Sequence, residues 1–355
     1  MPSLNSILPR FGRMVFAACM VTFMATAALT ALAATPPPQT TVDALTKANA
    51  AVVGVQVKAT PGSRSAETLG AQRSGSGVVI GSDGLILTIG YLMLEAESIQ
   101  IITQDNKTLP ARAVAYDLAT GFGLIRPLLP LRVAPVALGS ASELQTGDSL
   151  MAATGAQAGG QSGGEEAADV NMTQLVSKRP FSGYWEYHIE SALFTSPPIG
   201  NHSGAPLFNE RGQLLGIGSL FTMDAMGQNR RLPGNMFVPV DLLKPILAEM
   251  QKTGSTSKSR RPWLGLTSSE QSGRVQIVRV NKDSPADTAG LKPGDVVLAV
   301  DDTKITSLEA FYKGVWARNE PTDEIRLTVL QGAEVKSIVL RGADRMSTMI
   351  RPGGI

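Results

Sequence analysis

The residues best suited to chemistry lie in Gly200-Asn201-His202-Ser203-Gly204-Ala205-Pro206-Leu207. A serine among small residues, followed by a proline and set between apolar strands, has the makings of a nucleophile on a tight turn. The backbone N–H groups of such a turn, here those of Asn201 and Ser203, would converge on one point and stabilise an oxyanion. The same residues also build an ordinary turn between strands, so the flanking sequence has to decide. Both histidines of the chain, His188 and His202, fall near this stretch. His202 adjoins Ser203, and neighbouring side chains in extended backbone point to opposite faces, which makes it a poor base. His188, in Tyr184-Trp185-Glu186-Tyr187-His188-Ile189-Glu190, is expected to be a half-exposed strand residue. A metal site built on His188 and His202 would be short of ligands, with no cysteine and no clear carboxylate partner. No cofactor is expected.

The elements that must position these residues are mostly short strands. Hydrophobic residues make up 43% of the 355 and charged residues 17%, so a sizeable core is available, and 36 glycines suit frequent turns. Lys+Arg 32 against Asp+Glu 30 leaves no electrostatic case for a nucleic-acid partner. Residues 42–50 predict a helix and 52–57 a strand. Residues 58–73 predict a mobile loop, and 78–80 with 85–88 a hairpin around Ser82-Asp83-Gly84. Further strands are expected at 99–102, 112–115, 123–125, 150–153, 213–220 and 236–240, and a flexible loop at 155–169. Residues 241–250 predict a helix capped by Asp241, followed by a polar linker.

The N-terminus carries an export pattern. Arg10 and Arg13 precede an uncharged apolar run to Ala33, and Ala31-Leu32-Ala33 supplies a cleavage site. Export with cleavage is expected, the alternative being an inner-membrane anchor left uncleaved. Cys19, the chain's one cysteine, lies inside this run, so the mature protein is expected to fold without disulfides.

Ser74-Gly75-Ser76-Gly77-Val78-Val79-Ile80, Asp83-Gly84-Leu85-Ile86-Leu87-Thr88, the serine stretch and Gly212-Gln213-Leu214-Leu215-Gly216-Ile217 occur in an order that resembles the HtrA/DegP family of trypsin-like serine proteases. That similarity covers about residues 42–247. Residues 261–342, with Arg261-Pro262-Trp263-Leu264-Gly265-Leu266 and Ala289-Gly290-Leu291-Lys292-Pro293-Gly294-Asp295, resemble the PDZ domains of the same family. The resemblance implies an all-β-dominated chain, a chymotrypsin/trypsin-like double β-barrel followed by a PDZ domain. The expected organisation is a signal peptide at 1–33, a protease domain at 34–250, a linker at 251–260, a PDZ domain at 261–345 and a tail at 346–355.

The departures from the family pattern bear on function. Where the family has Thr-Asn-x-His-Val-Val, with its histidine as general base, this chain reads Thr88-Ile89-Gly90-Tyr91-Leu92-Met93, placing Tyr91 at the histidine position. Where the family has Thr-Asp-Leu-Ala-Val-Leu, this chain reads Thr120-Gly121-Phe122-Gly123-Leu124-Ile125, and Gly121 replaces the orienting aspartate. Ser203 keeps the nucleophile position, while Asn201 stands where the family's oxyanion loop has glycine. Losing the base of a triad costs roughly 10⁶-fold in turnover, about 8 kcal/mol.

By resemblance, the PDZ loop Trp263-Leu264-Gly265-Leu266 should offer backbone N–H groups to a C-terminal carboxylate, with Leu264 and Leu266 lining the side-chain pocket. The expected function is that of an exported pseudoprotease that binds peptides or unfolded exported proteins. Envelope quality control and regulation of an active paralogue are its expected settings, with a homo- or hetero-oligomer (a trimer, by resemblance). One alternative is an active endopeptidase using Ser203 with a base foreign to the family; another is a metal-binding scaffold.

Overall fold

The computed structural model describes residues 39–156, 168–227 and 230–350. The expected signal peptide, most of the expected 155–169 loop and the end of the tail lie outside these residues.

After helix α1 (Gln39–Asn49), six strands follow: β1 (Val52–Ala59), β2 (Gln72–Val79), β3 (Ile86–Ile89), β4 (Ala96–Ile102), β5 (Thr108–Tyr116) and β6 (Phe122–Pro127). They close into a barrel in the order β1-β2-β3-β6-β5-β4. A second set comprises β7 (Ser149–Thr154), β8 (Asp169–Gly183), β9 (Tyr187–Ser196), β10 (Pro206–Phe208), β11 (Leu214–Thr222) and β12 (Gly234–Pro239). These close in the order β10-β11-β12-β9-β8-β7. Closure leaves no sheet edge to solvate, and runs such as Ile86-Leu87-Thr88-Ile89 are buried along their whole length. Side chains of both barrels, among them Phe122, Leu124, Phe194 and Phe208, share one core. Each fully buried phenylalanine or leucine contributes about 1.5–3 kcal/mol relative to exposure.

The barrels meet where the chain is nearly bare of side chains. Ser76 N donates to Ser203 O at 2.8 Å, joining β2 of the first barrel to the serine turn of the second. A Cβ on Gly75 would sit 2.5 Å from that carbonyl oxygen, and one on Gly204 would sit 2.0 Å from Ser76 O. The Ser-Gly-Ser-Gly run is thus a docking strip as well as a strand. Its hydroxyl also works: Gly155 N donates to Ser76 Oγ at 2.9 Å.

Two sequence expectations change in this region. Residues 58–73 are not a featureless loop, since they contain α2 (Arg64–Leu69) and the start of β2. Arg73 is buried because its guanidinium donates to the carbonyl of Leu94 at 2.7 Å and that of Tyr91 at 3.2 Å. The helix expected at 241–250 also starts late. A single 3-10 turn occupies Val240–Leu242, and α3 (Leu247–Thr253) follows only after Pro245, whose ring and missing N–H disfavour a continuous helix. Asp241 does not cap that helix; its carboxylate accepts from Ala141 N at 2.7 Å and Ser140 Oγ at 2.8 Å.

The polar linker is pinned to the first barrel. Thr256 Oγ1 and Ser259 Oγ both donate to the buried Asp117 carboxylate at 2.5 Å. Beyond it come β13 (Pro262–Trp263), β14 (Leu266–Gln271), β15 (Arg274–Val280), α4 (Pro285–Thr288), β16 (Val296–Val300), β17 (Thr303–Lys304), α5 (Leu308–Trp316), β18 (Glu324–Gln331), β19 (Glu334–Arg341) and β20 (Ala343–Asp344). The main sheet runs β14-β15-β16-β18-β19, so β14 lies at its edge.

Gly204 and Gly290 have similar left-handed backbones, with φ of +76° and +80°, but nothing stands within 4 Å of a Cβ on Gly290. Gly290→Ala is therefore expected to cost about 1 kcal/mol from backbone strain alone. Gly204→Ala adds a clash with Ser76 O and is expected to cost about 2–4 kcal/mol. Urea midpoints of the two variants check the difference.

Candidate functional site

Ser203 lies in the turn between β9 and β10, half-buried. Asn201 takes a φ of +45° and Gly204 one of +76°, so the left-handed bends of the turn are both present. Asparagine tolerates that region better than most side chains. The turn is braced from below: Gly204 N donates to Gly218 O at 2.8 Å, Gly218 N to Ala205 O at 2.8 Å and Ala205 N to His202 O at 3.0 Å.

Tyr91 arrives from the 3-10 turn that follows β3, Gly90–Met93. Its Oη is 2.6 Å from Ser203 Oγ and 3.0 Å from Ser219 O. A phenol carries one hydrogen and a carbonyl can only accept. With Tyr91 donating to Ser219 O, the serine hydroxyl donates to Tyr91 Oη. Burial pushes the phenol up to about 12, so it is neutral at physiological pH and takes no proton from the serine. Arg73, which no motif singled out, holds the backbone of this turn through the Tyr91, Leu92 and Leu94 carbonyls.

Gly121 is joined to the same turn, since Gly90 N donates to Gly121 O at 2.7 Å. Its φ is +83°, and a Cβ there would meet Tyr187 Oη at 3.5 Å, an ordinary contact. The fold therefore brings Tyr91, Gly121, Asn201 and Ser203 to one seam. His202 is half-buried, and desolvation lowers its pKa, so its imidazole is neutral at pH 7.

His188 differs from expectation. It is buried at 8% exposure, because α5 covers β9 at this point. Its Nδ1 lies 2.9 Å from Ser182 Oγ, and its Nε2 lies 3.5 Å from Glu190 and 3.9 Å from Glu309. Among the described residues, His188, Glu190 and Glu309 form the group arranged to hold a metal, and His202 is not part of it. The Lys313 ammonium sits 2.7 Å from each of the two carboxylates, so that acidic pair already has a cation.

In the second domain, Leu264 and Leu266 are 1% and 3% exposed and belong to the core. Their side chains pack with Ile277, Phe311 and Leu327. Gly265 has a φ of +83°, and a Cβ would meet Ser284 Cβ at 2.3 Å, so the loop needs glycine there. The N–H groups on either side of that glycine converge on one carboxylate. Leu266 N donates to Glu186 Oε1 at 2.9 Å, and Leu264 N lies 3.2 Å from both Glu186 oxygens. In the sequence, no motif marks Glu186, and the chemistry visible in its stretch belongs to His188, two residues on. The signal for it is its place between two aromatics, Trp185 and Tyr187.

A family model described as "Trypsin-like peptidase domain" matches residues 75–217, and one described as "PDZ domain" matches 262–341. Relatives named "Probable periplasmic serine endoprotease DegP-like" include one from Hahella chejuensis, 26% identical over 285 residues that cover 76% of this chain and 57% of the relative. Another, from Halomonas elongata, is 26% identical over 295 residues covering 79% of this chain and 58% of the relative. The chain thus spans less than three fifths of the length of either. The solved structure "HtrA-type protease AlgW with tripeptide" aligns with a TM-score of 0.51 at 21% identity, covering 86% of this chain and 96% of that one. The chain is strand-rich, with a trypsin-like protease fold followed by a PDZ domain, and DegP-like proteins are among its relatives.

Proposed function

We propose that the protein is an exported HtrA-type pseudoprotease that acts by binding peptide or protein ends through its PDZ domain. The carrying observation is the 2.6 Å contact between Tyr91 Oη and Ser203 Oγ, at the place where a proton acceptor is required. Tyr91, Gly121 and Ser203 occupy the triad positions in this proposal, and neither of the first two provides a base or orients one. Asn201 N and Ser203 N stand for the oxyanion donors, and Leu264 N and Leu266 N for the carboxylate donors. The export pattern at the N-terminus and the periplasmic naming of the relatives support an envelope location. A homo- or hetero-oligomer and envelope quality control follow from the family resemblance.

A second function, serine endopeptidase activity, is favoured by the retained turn. Ser203 is half-buried and the left-handed bends at Asn201 and Gly204 are intact.

Hydrolysis of casein and a fluorogenic peptide separates the two. The wild-type protein is expected to match Ser203→Ala, whereas Tyr91→His with Gly121→Asp is expected to gain serine-dependent turnover. Wild-type turnover that disappears in Ser203→Ala would establish the endopeptidase instead.

Labelling of Ser203 by a fluorophosphonate gives the pH dependence. A phenol raised to about 12 stays protonated at every pH well below that value, so labelling is expected to be slow and flat from pH 6 to 10. A rise with a midpoint inside that window would reveal a base other than Tyr91.

A further inference from the structure

The hairpin tip between β8 and β9, Tyr184-Trp185-Glu186, is seated on the PDZ domain in the manner of a bound peptide. The Glu186 carboxylate occupies the donors of the Leu264-Gly265-Leu266 loop, which are the groups that capture a chain terminus. Two residues earlier, Tyr184 O accepts from Ser268 N at 2.9 Å, on the edge strand β14. A terminal carboxylate in a backbone nest together with a carbonyl on the sheet edge is the pattern of β-strand addition. The α5 side of the groove completes the seat. The Tyr312 hydroxyl donates to Gly183 O at 2.7 Å and accepts from Glu186 N at 3.3 Å.

The tip also carries a mark of functional strain. Glu186 has a φ of +60° and is 7% exposed, and a non-glycine residue in that region costs on the order of 1–2 kcal/mol. Its charge is desolvated as well. Arg261 lies close by, with its NH2 group donating to Glu186 O at 3.2 Å and its guanidinium stacked on Trp316.

We propose that the Glu186 hairpin tip is a built-in ligand of the PDZ groove, so that an external peptide with a free C-terminal carboxylate binds only by displacing it. This rests on the peptide-binding function proposed above.

Protonation adjusts the balance. Burial pushes Glu186 up to about 7, against the pull of the Leu266 and Leu264 N–H groups and of Arg345 and Arg261. Besides those two arginines, Tyr312 of α5 faces it, and burial keeps that phenol protonated. A released, solvated glutamate titrates near ~4.3. The seated form therefore binds the proton more tightly than the released form. Seating is favoured in acid and weakens as pH rises through about 7.

Binding of a fluorescein-labelled decapeptide pool, randomised at its last four positions and free at the C-terminus, tests the proposal on the full chain, with the amidated pool as control. If the tip fills at least ~90% of grooves, removing it strengthens binding about tenfold or more. Glu186→Ala is expected to show that gain. Wild-type binding should strengthen between pH 6 and 8, and this pH dependence should vanish in Glu186→Ala. Tyr312→Phe, which removes the hydroxyl bridging the tip, should shift affinity in the same direction. Hydrogen exchange at the Leu264, Leu266 and Ser268 amides reports release without any peptide, and is expected to quicken in Glu186→Ala while the barrel amides stay protected. Equal affinity in wild type and Glu186→Ala, or unchanged exchange at the three amides, would overturn the internal ligand and leave peptide binding standing. Absence of binding by every version would remove the peptide-binding function itself, and the internal ligand with it.

Discussion

The structure depends on one contact between two backbones. The Ser76 N–H to Ser203 carbonyl bond fixes the strand of one barrel against the serine turn of the other, at a separation that admits no Cβ on Gly75 or Gly204. That seam holds Ser203 opposite Tyr91 and keeps the turn's left-handed bends in place. Because the barrels share one core, displacing the seam would also open apolar surface on both sides. The geometry of the serine turn is thus maintained by packing and backbone bonding, independently of whether the residues beside it can do proton transfer.

What stands in the site is a closed hydrogen-bond chain. The Ser203 hydroxyl donates a hydrogen bond to Tyr91 Oη, and the Tyr91 hydroxyl donates one to the Ser219 carbonyl. Such a chain satisfies three buried or half-buried polar groups at once, which favours its retention on stability grounds. A neutral phenol whose pKa is raised by burial is a weak acceptor for the serine proton and holds its own proton well above physiological pH.

The two domains are joined by polar contacts of an unusual kind for a flexible linker. Asp117 anchors Thr256 and Ser259, and Glu186 fills the loop of the second domain. The first contact is a fixed anchor of short hydrogen bonds to a buried carboxylate. The second buries a charge that has an alternative partner in solvent and a competitor in any free chain terminus, so it is the natural place for the assembly to open.

The sequence by itself determined the fold class and the presence of a trypsin-like fold followed by a PDZ domain. These are legible because strand periodicity, glycine turns and motif order are local properties. It also made visible that Tyr91 and Gly121 differ in kind from histidine and aspartate. It could not place Arg73 or Asp117 in the interior, since nothing in a charged residue's neighbours along the chain says which distant carbonyl or hydroxyl will meet it. Nor could it show that His188 is covered by α5. That depends on how a helix from one domain settles on a hairpin from the other. The seating of Glu186 in the carboxylate loop was decided only by tertiary structure. It joins residues about 80 apart, and although the loop of donors was legible in the sequence, nothing along the chain says that a side chain of this protein's own hairpin will meet it.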